Sequence, residues 1–385
     1  GSDGGGGSRT YKSTWNFGQR AFAYTAPSGH KPLCTTNLPT PTIADGSDHF
    51  NAVLRNGFGT SGGTVTVGFS PGLLWEKTRS TTGSHYLYDA VRGAGKILFS
   101  NSANAESTDT DQVNAFTSTG YTLGTNEWST STTLVGWAWK GGSSTVSNTD
   151  GSLTSSVSAN QTAGFSIVSY TSDSSATKTV GHGLGSAPKM IIFKSRDNAT
   201  NWFVHHNDGS TGRMFEGLNT TNSGGTNLAA MNSTLPSSSV FSLNSGGYAI
   251  NPSGNKKQIA YCFAPVEGYS AIGSYEGNSA SGYPDADGPF VYTGMRPAFV
   301  LLKDADASEN WVIYDTARST YNVLDDQLYP NATTAETSGA NREIDVYSNG
   351  FKIRSNGGFV NSSGNTYIYY AVAENPFQAN GGLAR

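Results

Sequence analysis

Gly68-Phe69-Ser70-Pro71-Gly72 fits the G-x-S-x-G spacing that lifts a serine nucleophile on a tight turn between a strand and a helix. Here the next residues, Leu73-Leu74-Trp75, are strand formers, so the pentapeptide is expected to be a turn that enters a strand. The six histidines show neither H-x-x-x-H nor Cys-His spacing, and adjacent His205 and His206 would point to opposite faces of a strand. No zinc centre is expected, and His182, among glycines, reads as a turn residue. Asp285 and Asp287, then Asp304 and Asp306, set carboxylates at alternate positions as a calcium loop does, but without its terminal glutamate. Ordinary Asp-rich turns are the expected reading and no cofactor is expected; calcium is the alternative these carboxylates would take. Asp89 and Asp315 are each followed by an arginine three residues on, Arg92 and Arg318. That spacing predicts a turn-capping carboxylate paired with a guanidinium, and a two-carboxylate glycosidase site is the alternative. Trp128 and Tyr283 sit in polar stretches and are the candidate sugar-stacking residues.

These residues hang on a repeated frame. Phe299-Val300-Leu301-Leu302-Lys303 and Trp311-Val312-Ile313-Tyr314-Asp315 are short, apolar and β-branched or aromatic, which predicts a hairpin. The pattern occurs earlier at Met190–Lys194 with Trp202–Val204, and at Leu73–Lys77 with His85–Asp89. The proline-to-lysine spacing is the same each time (Pro71–Lys77, Pro188–Lys194, Pro297–Lys303). One common offset relates Lys194 to Lys303, Trp202 to Trp311 and Tyr261 to Tyr370. Several markers on one offset define a repeat protein. Alternation in the closing runs places Trp137 with Trp139, and Tyr261 with Phe263, on one face of a half-buried strand.

The expected fold is all-β: three tandem antiparallel β-sandwich repeats at 50–140, 164–266 and 267–385, with residues 1–49 leading in and a Gly/Ser/Thr-rich linker at 141–163. The 48 glycines and a charged fraction of only 14% suit short strands and polar turns over helices. A net charge of −4 without a basic run argues against nucleic acid as a partner. No apolar run approaches the roughly 18 residues of a membrane helix, so no membrane insertion is expected. The first residue is not methionine, so the sequence reads as a fragment or a processed product. Of the two cysteines, Cys262 lies in a strand-like run and Cys34 far from it, which predicts free thiols and a chain able to fold in a reducing cytoplasm.

The strand Asn16-Phe17-Gly18-Gln19 with its Pro27-Ser28-Gly29 exit resembles the last strand of a SPRY-type sandwich. Together with Leu33-Cys34-Thr35-Thr36-Asn37-Leu38-Pro39, Tyr88-Asp89-Ala90-Val91-Arg92-Gly93, Gly181-His182-Gly183-Leu184-Gly185 and the Glu374-Asn375-Pro376-Phe377 ending, it resembles a family of bacteriophage virion-appendage proteins. In that family a SPRY-like domain precedes such a repeat region. The resemblance implies a virion location after synthesis in a bacterial cytoplasm, and a tail-fibre role contacting a host surface glycan or protein receptor. Neighbouring virion subunits and homotrimer formation are its further implications; it transfers no catalytic residues. The alternatives are a depolymerase of surface polysaccharide and a bacterial cell-surface adhesin.

Overall fold

The computed structural model describes residues 41–209, 212–281, 286–339 and 341–374. The SPRY-like strand, Cys34, Tyr283 and Asp285 lie outside them. Each repeat contributes four strands in one spatial order: opening strand, closing strand, then the two strands of the hairpin. In the first repeat these are Phe50–Asn56, Thr133–Lys140, Pro71–Thr78 and His85–Asp89. In the second they are Phe165–Thr171, Lys257–Phe263, Met190–Ser195 and Phe203–Asn207; in the third, Ser270–Glu276, Thr366–Ala373, Pro297–Asp304 and Val312–Asp315. All pairings are antiparallel, and Trp75 opposite Trp137 corresponds to Ile192 opposite Tyr261 and Leu301 opposite Tyr370.

Side-chain alternation gives every large sheet two apolar faces. One face packs on a small sheet of its own repeat: Gly63–Thr66, Gly120–Leu123 and Val113–Thr117 in the first, Lys178–Gly181 with Val240–Leu243 in the second, Phe290–Tyr292, Gly350–Ile353 and Ile344–Tyr347 in the third. Leu74, Tyr88 and Ala138 thus meet Val65 and Tyr121, while Ile191, Phe193 and Cys262 meet Val180 and Phe241. The opposite faces of all three sheets converge on one shared core. The Trp139 ring lies 6.3 Å from Phe263 and 5.4 Å from Phe299, and Phe263 lies 4.8 Å from Tyr370. Trp139 Nε1 donates to the Tyr370 hydroxyl at 3.1 Å.

The stretch 141–163 is not a linker. Val146–Asn148 and Ser155–Asn160 are strands that extend the second sheet beyond its opening strand, in the order 146–148, 155–160, 165–171. Serine and threonine there satisfy a strand at a sheet edge, where one face stays wet and little apolar surface is needed. Only one α-helical turn, Gly358–Asn361, occurs among the described residues. Cys262 is free and buried, and burial pushes its thiol pKa up.

Candidate functional site

Each repeat contacts both of the others, so the three close a ring. Trp202 Nε1 of the second repeat donates to the Phe99 carbonyl of the first at 2.9 Å, and Trp311 Nε1 of the third donates to the Gly217 carbonyl of the second at 3.1 Å. His85 occupies the equivalent place in the first repeat. It accepts from Trp75 Nε1 at 3.0 Å through Nδ1, and beside it the Ser100 hydroxyl donates to the Pro330 carbonyl of the third repeat at 2.8 Å. Asn101, Asn219 and Asn331 each accept the backbone N–H of His85, Trp202 or Trp311, at 2.8, 2.9 and 2.9 Å. The hairpin lysines are buried. Lys194 Nζ donates to the Ala103 carbonyl of the first repeat at 3.1 Å and Lys303 Nζ to the Thr221 carbonyl of the second at 3.2 Å. Burial pulls the pKa of Lys77, Lys194 and Lys303 down to about 8.

The Asp–Arg pairs anchor two of the three seams. Asp315 takes Arg318 Nε at 2.6 Å and Trp137 Nε1 of the first repeat at 2.9 Å; Arg318 then reaches Glu336, which holds Arg79 of the first repeat at 2.6 Å. At the other seam Asp89 takes Arg92 Nε and, at 2.8 Å, the Tyr261 hydroxyl of the second repeat, while Glu106 holds Arg196 of that repeat at 2.8 Å. Both arginine side chains and both aspartates are sealed from solvent. Burial opposes the charge on Arg92 and Arg318, but the facing carboxylates outweigh it and raise both pKa values. Glu106 and Glu336 are also partly buried, yet their arginine hydrogen bonds hold them below the usual carboxylate range. At the seam between the second and third repeats His206 stands where Asp89 and Asp315 stand, Gly209 replaces the arginine and Ala305 replaces Arg79. His205 and His206 are buried on opposite faces of their strand.

A further carboxylate pair escaped the sequence reading. Glu76 and Glu127 flank Arg55 at 3.0 and 2.8 Å, and Tyr121 donates to Glu76 at 2.6 Å. Their side chains are 4% and 0% exposed, which leaves no room for a water and a sugar between them.

The carboxylates of Asp304, Asp306 and Asp287 are engaged by groups of the chain itself. Asp304 Oδ1 accepts the N–H groups of Asp306 and Ala307, both at 2.9 Å, and Oδ2 accepts Asn365 Nδ2 at 2.8 Å. Asp306 is held by Arg213 at 3.0 Å and by the Thr366 N–H at 2.7 Å, and Asp287 by Lys352. An Asp-rich turn folds its own backbone onto its carboxylates and leaves few lone pairs for an ion. No group of three or more His, Cys, Asp or Glu that could hold a metal occurs among the described residues. Gly68–Gly72 is a turn into the strand that starts at Pro71.

Trp128 is half-buried, its ring 6.2 Å from Tyr86 in an edge-on arrangement. The exposed aromatic surface lies elsewhere. On the small sheet of the third repeat Phe290, Tyr292 and Tyr347 are 47%, 69% and 39% exposed. The central strand places Gly350 between Tyr292 and Tyr347 in register, and Lys352 between Phe290 and Asp345. The Phe290 and Tyr347 rings are 6.0 Å apart. Val291, Val346 and Phe351 point the other way into the core. A polar depression of about 370 Å³ also lies beside the edge strand Val146–Asn148, lined by Gly142, Ser143, Asn148, Asp150 and Gln161.

Three sandwiches closed on a common core, with their charges spent on the seams and rings displayed on one outer sheet, define an all-β repeat protein. Residues 45–376 match the family described as a domain of unknown function, DUF7483, and the chain belongs to that family. No curated protein and no solved structure matches it.

Proposed function

We propose that this chain is a non-catalytic virion-appendage protein of tail-fibre type that contacts the surface of a host cell. The observation that carries the reading is the contrast between its interior and its outer surface. The acidic groups a hydrolase would need are bound to arginine, tyrosine and tryptophan inside the body, as at Asp89, Asp315 and the Glu76–Glu127 pair. Phe290, Tyr292 and Tyr347 instead face solvent, where a contact surface has to be. The sequence resemblance supports the virion placement. Homotrimer formation and contact with neighbouring virion subunits belong to the same reading. The test is to incubate the purified chain with intact host cells and with their extracted surface polysaccharide, scoring retention and reducing-end release together. Retention without release is the expected result; release would make the chain a depolymerase and overturn the reading.

A further inference from the structure

We propose that the outward face of the third repeat's small sheet is a stacking site for a neutral hexopyranose glycan; the inference rests on the surface-contact reading above and names its ligand. The three repeats supply an internal control. The inward residues Val65, Val180 and Val291 correspond, because they pair with Tyr121, Phe241 and Phe351. The residues flanking them point outward. In the first repeat these are Thr64 and Thr66, with Thr117 across from Gly120; in the second this face is covered, with Gly181 buried against Asn148 and the Thr179 N–H bonded to Ser152. In the third they are Phe290 and Tyr292, with Tyr347 across from Gly350. The first repeat therefore builds the same sheet with this face open and no aromatic residues on it. Folding does not require them, and exposing them carries a solubility cost.

The face is shaped for rings. A Cβ on Gly350 would come within 2.1 Å of the Val291 carbonyl oxygen and 2.9 Å of the Phe290 ring, so the middle of the platform stays flat. Strand spacing makes the platform roughly 10 Å wide, and the two-residue step from Phe290 to Tyr292 makes it roughly 7 Å long. One or two pyranose rings cover that area, whereas a protein partner needs about 800 Å² per side. A pyranose presents axial C–H groups on one face, which stack on the electron-rich face of an aromatic ring, and hydroxyls around its edge. The rim offers partners for those hydroxyls. Tyr347 donates to Asp345 at 3.1 Å, Arg354 lies 3.4 Å from the same carboxylate, and Lys352 pairs with the exposed Asp287. Two cations and two carboxylates balance, which favours a neutral sugar over an acidic one. Tyr321, 83% exposed, is carried beside the same edge by Asn322, whose side chain bonds both backbone groups of Val346 at 2.9 Å.

The experiment is calorimetric titration of the full chain with neutral hexaoses (maltohexaose, cellohexaose and a β-galactohexaose), alongside retention on host cells. Wild type should bind at least one hexaose, and Tyr292→Ala with Tyr347→Ala should weaken it at least tenfold. The control Tyr248→Ala, an exposed aromatic of the second repeat, should bind as wild type, and all variants should keep the wild-type melting temperature. If the double variant binds hexaose like wild type, or if wild type binds none while still retained on cells, the platform inference is overturned and the surface-contact reading stands. Loss of both hexaose binding and cell retention in wild type removes both.

Discussion

At the scale of single residues, the charged side chains that first read as chemistry are fasteners. Asp315 accepts from Arg318 and from Trp137, so it ties a turn of the third repeat to the core strand of the first. Replacing it with alanine leaves a buried indole N–H unpaired and strips the buried guanidinium of its fully buried carboxylate, leaving it the partly exposed Glu336 and the Ile313 carbonyl. We predict that Asp315→Ala destabilises the protein by about 3–5 kcal/mol, measured by urea unfolding, because breaking one side of a buried pair leaves the other charge short of compensation. Asp287→Ala, at an exposed and solvent-screened pair, should leave the urea midpoint unchanged. Equal effects of the two would show that burial is not what sets the strength. The arginine spacing after Asp89 and Asp315 was legible in the sequence because a turn is local. The tryptophan and tyrosine that complete each cluster come from distant repeats, and no spacing rule reaches them.

At the scale of elements, the seam between the second and third repeats is built differently from the other two. His206 there lies against Tyr369, whose carbonyl is 3.3 Å from Nε2, with His205, Asp208, Arg213 and Lys189 as its charged or titratable neighbours. Burial holds His206 down at about 4 and His205 at about 3, against 6.5 for a free imidazole. A histidine depressed by folding binds its proton more readily when unfolded. Its stabilising contribution is therefore complete above pH 6.5 and is lost as pH falls towards 4. We predict that wild type loses about 2 kcal/mol through His206 alone between pH 7.5 and pH 5, and that His206→Gln shows a shallower slope over that range. Urea titrations at both pH values check this, and parallel slopes would assign the acid sensitivity to other groups. The outer-sheet aromatics belong to this scale too. Phe290-Val291-Tyr292 is apolar at every position and reads simply as a buried strand. Aligning it with Thr64-Val65-Thr66 was the signal that could have singled out its outer face.

At the scale of the whole molecule, one core joins the three repeats, with Trp137, Tyr261 and Tyr370 at equivalent positions. Each repeat reaches into the one before it and the first reaches into the third, so the ring closes within a single chain. Independent sandwiches on linkers would melt separately; these share their largest apolar surface. We predict one cooperative calorimetric transition for residues 41–374, with the calorimetric and van't Hoff enthalpies equal. A Trp139→Ala substitution, costing about 3–5 kcal/mol, should lower that single transition as a whole. Resolved transitions, with only one shifted, would show that the repeats fold apart.

The sequence by itself determined the all-β class, the three-fold repetition and the hairpins, because strand alternation and turn chemistry act between near neighbours. It also placed Trp137 with Trp139 and Tyr261 with Phe263 on common faces, since a pleat fixes side-chain direction every second residue. Only the tertiary structure decided what those faces meet. Periodicity marks a face as apolar without naming its partner, so the closed ring, the sealed aspartates and the strands within 141–163 were visible only once the sheets were packed. The same holds for Phe290, Tyr292 and Tyr347: their residue type says that they are apolar, and only the packing of their sheet left them facing water.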